Sequence, residues 1–254
     1  MNLISSQQFS FWHRLPRQFR KSGYSRFDEQ MEIGKALMTV ESPKEKFLRL
    51  CPGGFNDPRY LKDERNCKWV AHEMWCELLN QEEFARLLAE DHYHEICRRV
   101  LKVEAKTKFM LSQFEKSALH HAIKGDLFAG LMAESLFDLV YGDDDFEKRL
   151  VEFATDLSLL PKKQTHPAKW TIATIFPFLA HPQTHIFLKP EVTQAAAKRR
   201  GFTLNYTPEL NWLTYSSLLD FSEVLAKEVA DLHPRDMIDI QSYIWVTEFY
   251  ESDL

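Results

Sequence analysis

Glycine and proline are scarce in this chain, with 8 and 11 in 254 residues. That excludes a collagen-like, low-complexity or loop-dominated protein. Cysteine is scarcer still: Cys51, Cys67, Cys76 and Cys97 are separated by 15, 8 and 20 residues. These spacings contain no C-x-x-C pair and fit no zinc ribbon. The thiols are therefore expected to be free, unmetallated and in a reducing compartment. No apolar run reaches the roughly 18–20 residues of a membrane span, and no secretory pattern opens the chain, so a cytoplasmic protein without a membrane partner is expected. P-loop, dinucleotide and G-x-S-x-G fingerprints are all missing. The formal charge of −5 argues against binding a polyanion by bulk charge, so any nucleic-acid contact must come from a local basic patch.

What is present is ordinary in amount and rich in rings. Hydrophobic residues make up 44% and charged residues 27%, with 19 phenylalanines and 6 tryptophans, which predicts a soluble globular protein with a bulky aromatic core. Residues 1–26 carry no Asp or Glu, but place Arg14, Arg17, Arg20, Lys21 and Arg26 among Phe9, Phe11, Trp12, Phe19 and Tyr24. This basic, aromatic arm is expected to dock on the body with its charges solvated. Holding phosphates while rings stack on bases is the second reading, and organellar targeting the third.

From Phe27 to Tyr250 the periodicity is mostly helical. Helix is expected over 27–50, with a break at Ser42–Pro43 and a turn cluster over 51–60. Asp63 is a plausible N-cap for a helix whose stripe runs Val70, Ala71, Met74, Trp75, Leu78, Leu79. Leu111–Ile123 and Leu127–Tyr141 read as an αα-hairpin hinged at Gly125, and Gly142 with Asp143–Asp145 separates it from a helix over 146–160. Trp170–Leu179 alternates in part like a strand, but fits better a buried helix opened by Pro167 and disturbed near Pro177. His185–Leu188 and Phe202–Tyr206 read as short extended pieces, and Glu191–Arg200, Trp212–Leu232 and Met237–Tyr250 as helices. Leu131, Leu136, Leu139, Phe153, Leu157, Phe176, Leu218 and Trp245 are the expected core.

Candidate chemistry is thin. His72 and Cys76 have the i, i+4 spacing of a helical metal pair, yet structural zinc wants four ligands. His92 and His94 would face apart on a helix. Glu104-Ala-Lys106 matches half of an E-x-K nuclease motif, though at the end of a charged helical run. The densest metal-ligand set is His166, His181 and His185, with Asp236 and Asp239 as carboxylates that could fold back. A larger set is basic: Lys162, Lys163, Lys169, Lys189, Lys198, Arg199 and Arg200. On one face, these would create a field that a phosphate backbone feels despite the net negative charge.

Three stretches carry a resemblance: Pro52-Gly-Gly-Phe-Asn-Asp-Pro58 with the helix from Glu64-Arg65 to Trp75; His185-Ile-Phe-Leu-Lys-Pro-Glu-Val-Thr193 with Asn211-Trp-Leu-Thr-Tyr215; and Arg235-Asp-Met-Ile-Asp-Ile-Gln-Ser-Tyr-Ile-Trp-Val246. Together they resemble a family of uncharacterised bacterial proteins from about Ser42 onward. The resemblance implies a bacterial cytosolic source, which weakens the targeting reading of the N-terminal arm, and implies no activity, cofactor or catalytic residue.

The sequence thus predicts a mainly α, multi-helix globular fold with a small β element near 185–206. The expected division is an arm at 1–26, a helical lobe at 27–160 and a mixed α/β lobe at 161–254, the last two packed together or continuous. The expected function is a non-enzymatic binding or adaptor protein needing no cofactor. It would contact nucleic acid, through Lys162, Lys163, Lys169, Lys198, Arg199 and Arg200 with Arg14, Arg17 and Arg20, or a protein partner in a multi-component system. A metal-dependent hydrolase or nuclease using His166, His181 and His185 is the alternative.

Overall fold

The computed structural model describes residues 41–251; the arm with Arg14, Arg17 and Arg20, and most of the 27–50 expectation, lie outside them. From Pro43 onward the chain forms one compact unit. Its helices are α1 Pro43–Leu50, α2 Asn66–Leu78, α3 Gln81–Ala89, α4 Tyr93–Glu104, α5 Gln113–Ala122, α6 Asp126–Tyr141, α7 Phe146–Leu159, α8 Trp170–Ala180, α9 Pro190–Arg199, α10 Trp212–Glu228 and α11 Met237–Phe249.

At the centre stands α8, in which every residue from Trp170 to Ala180 is buried. A helix apolar on all sides must be wrapped on all sides, and α2, α6 and α7 pack against it. Pro177 sits inside it and cannot donate to Ala173, and the helix ends three residues later, at Ala180. The two helices expected as an αα-hairpin form as α5 and α6, with Gly125 as the N-cap of α6, but they do not pack along each other: α6 lies against α3, α4, α7 and α8 instead. The next turn is tight: a Cβ on Gly142 would lie 2.5 Å from the Asp138 carbonyl oxygen, so only glycine fits. Six of the expected core residues are buried, whereas Leu131 and Trp245 are only partly so.

Two further expectations are corrected. Asp63 is not a cap: the helix starts earlier, where Asp57 accepts from the Arg59 N–H and Pro58 takes the first position. The chain then continues through a π-helical turn, Leu61–Arg65, directly into α2. The small β element is not formed either, and the described residues contain no β-strand. The 185–189 and 202–206 segments are extended, but side-chain hydroxyls take the place of a partner strand. Thr174 Oγ1 accepts from the Leu188 N–H at 3.0 Å. Ser217 Oγ accepts from the Asn205 N–H at 3.2 Å, and Thr214 Oγ1 donates to the Asn205 carbonyl at 2.7 Å. These bonds to helices α8 and α10 take the place, at Leu188 and Asn205, of the ones a partner strand would make.

A buried ionic network ties the two ends of the unit together. Arg65 donates to Asp236 through both Nη atoms, at 2.8 and 2.6 Å, and to Asp239 at 2.8 Å. Asp239 also accepts from the Tyr60 hydroxyl and from the Arg235 backbone and guanidinium. Asp236 caps α11 by accepting from the Ile238 and Asp239 N–H groups. Three cationic or hydroxyl partners for two carboxylates satisfy most of the lone pairs that burial would otherwise leave exposed to a low dielectric.

Candidate functional site

The described residues line a half-open cavity of about 470 Å³, within the range of small-ligand sites. Four sequence-distant segments line it. The π-turn and first turn of α2 supply Asp63, Glu64, Cys67 and Lys68. The connection between α4 and α5 supplies Lys108, Phe109 and Met110, and the 185–189 segment supplies Phe187 and Lys189. From α11 come Gln241, Trp245 and Phe249, at i, i+4 and i+8 on one face, followed by Tyr250.

The polar floor is already paired. Lys68 Nζ donates to the Glu64 carbonyl at 3.1 Å, to Glu64 Oε2 at 2.9 Å and to Ser242 Oγ at 2.8 Å, which uses all three of its protons. Glu64 Oε1 accepts from the Tyr250 hydroxyl at 2.8 Å, and burial together with this carboxylate pushes the Tyr250 phenol above its usual range. Cys67 Sγ faces the Glu64 carbonyl at 3.6 Å. No histidine lines the cavity; its carboxylates are Asp63 and Glu64.

The rim carries two lysines, the Asp63 carboxylate and aromatic rings. Lys189 Nζ donates to the Met110 carbonyl at 2.9 Å and keeps further protons for a ligand. Lys108 is exposed. Trp245 and Phe249 are stacked, with ring centroids 4.2 Å apart and planes at 17°. Phe109 is 82% exposed and has φ of 55°. The left-handed region costs a non-glycine residue about 1–2 kcal/mol, and a ring this exposed gains little burial in return. Firm anchors flank it. Thr107 Oγ1 donates to the Glu104 carbonyl at 2.7 Å, and Ser112 with Glu115 forms a capping box at the start of α5.

One polar atom of the wall is unmatched. Gln241 is only 5% exposed, and its Oε1 is buried without a hydrogen-bond partner. Leaving such a group unpaired costs about 1–3 kcal/mol.

The residues singled out by sequence lie elsewhere, Lys189 excepted. Lys162, Lys163 and Lys169 are exposed on the connection before α8, where Lys163 Nζ is 3.5 Å from Ser117 Oγ of α5. Lys198 is exposed at the end of α9. Arg199 pairs with Glu248 at 3.1 Å, and Arg200 with Glu228 at 2.7 Å, so both guanidiniums are largely neutralised by α10 and α11. His166 Nδ1 accepts from the Ala168 N–H at 3.1 Å. His181 Nε2 meets the Val140 carbonyl and His185 Nδ1 the Tyr215 hydroxyl, each at 3.2 Å. The last two rings are 6.3 Å apart, and among the described residues no three His, Cys, Asp or Glu side chains converge as a metal site requires. Asp236 and Asp239 belong to the Arg65 network instead. His72 Nδ1 is held at 2.7 Å by the Leu179 carbonyl. Buried Glu104 pairs with Lys116 at 3.0 Å, while Lys106 is exposed; the ion pair is not aligned as a hydrogen bond, so Glu104 Oε1 accepts none.

Sequence reasoning missed Phe109 and Gln241, and took Trp245 for core. The Gln241–Trp245–Phe249 spacing was a readable signal, since a glutamine amid apolar α11 marks a face that is not plain core. The chain matches no known family, no curated protein and no solved structure.

Proposed function

We propose that this is a non-enzymatic binding protein for single-stranded nucleic acid, and that the cavity rim is its contact surface. The observation that carries this reading is the exposed ring of Phe109, held at positive φ beside Lys108 and facing the same cavity as Lys189 and the Trp245–Phe249 stack. Rings that stack on bases beside cations that hold phosphates are the two parts of a single-strand site. The floor of Glu64, Lys68, Ser242 and Tyr250 is hydrogen-bonded within the fold, which leaves the rim cations and rings as the groups offered to a ligand. The free thiols of Cys51, Cys67, Cys76 and Cys97 support a reducing, cytoplasmic setting, and no helix of the described residues is long and apolar enough to cross a membrane.

Phe109→Ala tests this directly, since the ring packs on nothing it would destabilise. Removing one stacking ring is expected to cost about 1–3 kcal/mol of binding, read by fluorescence anisotropy with a ten-nucleotide strand. An unchanged affinity, or no binding by the wild-type chain at low salt, rejects the cavity as a nucleic-acid site.

A further inference from the structure

Within that reading, on which it rests, we infer that the strand is RNA and that Asp63 selects it by accepting from a ribose 2′-hydroxyl. Asp63 lies half-buried in the π-helical turn and lines the cavity. It caps no helix, because Asp57 does that six residues earlier. Among the described residues nothing hydrogen-bonds to its carboxylate or pairs with it. Its neighbours on the floor are spent: Glu64 accepts from Lys68 and Tyr250, and Lys68 has used all its protons. The lysines of the rim belong to another wall, where Lys189 Nζ bonds the Met110 carbonyl. The charged groups left for a ligand are therefore one carboxylate, Asp63, and two cations, Lys108 and Lys189.

A carboxylate beside lysines that hold phosphates repels the strand unless the strand brings it a donor. The backbone of DNA brings none, since its phosphates and deoxyribose oxygens only accept. The backbone of RNA carries a hydroxyl donor on every sugar, next to the phosphates. An O–H bond to an ionised carboxylate is among the stronger hydrogen bonds, and carboxylates take ribose hydroxyls in this way in nucleotide sites. That hydroxyl is also what lets a protein tell RNA from DNA. Base N–H groups are the competing donors, but they change from base to base. Stacking on Phe109, Trp245 and Phe249 accepts any base, and a donor present on every nucleotide suits such a site.

Binding of oligo(U) and oligo(dU), each about ten nucleotides long, to the full chain at one low salt concentration tests the inference. The two strands share a base without an amino group and differ at the sugar. Wild type is expected to prefer oligo(U) by about fivefold or more, the worth of one hydrogen bond. A 2′-fluoro oligo(U), which keeps the ribose pucker but has no donor, should bind like oligo(dU). In Asp63→Ala the preference should fall to within about twofold. Oligo(dU) should then bind as tightly as to wild type or more tightly, because the repelling carboxylate is gone. The 2′-fluoro strand tests the same bond from the ligand side if the variant folds poorly. Equal binding of both strands by wild type, a preference that survives in the folded variant, or a 2′-fluoro strand that binds like oligo(U) overturns the role of Asp63. Each of these leaves the single-strand reading intact, since oligo(dU) still binds. Failure of every strand to bind overturns both.

Discussion

His185 is the histidine most altered by its surroundings. Burial first, then the nearby charges of His181 and Arg149, lowers its pKa from 6.5 to about 3. Its ring lies 4.1 Å from that of Phe146, centroid to centroid, and its Nδ1 meets the Tyr215 hydroxyl. This imidazole stays neutral through the physiological range, packed on Phe146 and bonded to Tyr215. Its titration still has a consequence. Between pH 6.5 and about 3 the unfolded chain binds a proton at this site that the folded chain does not. Stability therefore falls as pH drops through that window, by about 1.4 kcal/mol per unit from this site. Above pH 6.5 the contribution is complete and constant. Chemical denaturation of wild type and His185→Asn at several pH values should show the variant with a slope shallower by about one proton. Equal slopes would mean that the ring is protonated in the fold or reached by water.

The extended segment at 185–189 is where a strand was expected and a hydroxyl decided otherwise. Thr174 is fully buried in α8; its Oγ1 donates to the Trp170 carbonyl at 2.6 Å and accepts from the Leu188 N–H. Thr174→Val keeps the shape and removes both bonds, so the Leu188 N–H loses its partner in a dry interior. The expected cost is about 1–3 kcal/mol, seen as a lower denaturation midpoint. A neutral result would mean that the segment finds a second partner. The same contact explains what could be read from sequence and what could not. Helical stripes such as Leu136 and Leu139 of α6 are local, and so is the end of α9. There Gly201 at φ 65° lets the Phe202 N–H reach the Ala197 carbonyl and the Gly201 N–H the Lys198 carbonyl, as a glycine after a charged last turn predicts. The extended character of 185–188 and the alternation of 202–206 were legible too, but neither says whether the partner is a strand or a row of Thr and Ser side chains. The site was less legible still. Lys189 stood in the basic set, whereas Lys108, Phe109, Gln241 and Trp245 meet only because α11 and the α4–α5 connection converge, and no spacing in the sequence records that.

Over the whole molecule the question is whether scattered surface charge or the cavity governs any contact with nucleic acid. The net charge is −5, and Arg199 and Arg200 spend their charge on Glu248 and Glu228. A strand held by Lys108 and Lys189 alone releases few counterions. Two phosphate contacts on a single strand give a slope of about −1.4 in log affinity against log salt, or about a sevenfold loss between 50 and 200 mM. A face built from Lys162, Lys163, Lys169, Lys198, Arg199 and Arg200 would instead give a slope near −4 and a loss of roughly three-hundredfold over the same range. The two readings also part on mutation. Lys108→Ala should make the slope shallower by about 0.7, whereas Lys163→Glu with Lys198→Glu, both on exposed lysines away from the cavity, should leave slope and affinity close to wild type. A steep wild-type slope that flattens in the double variant, and not in Lys108→Ala, would move the contact surface from the cavity rim to the basic residues around α8 and α9.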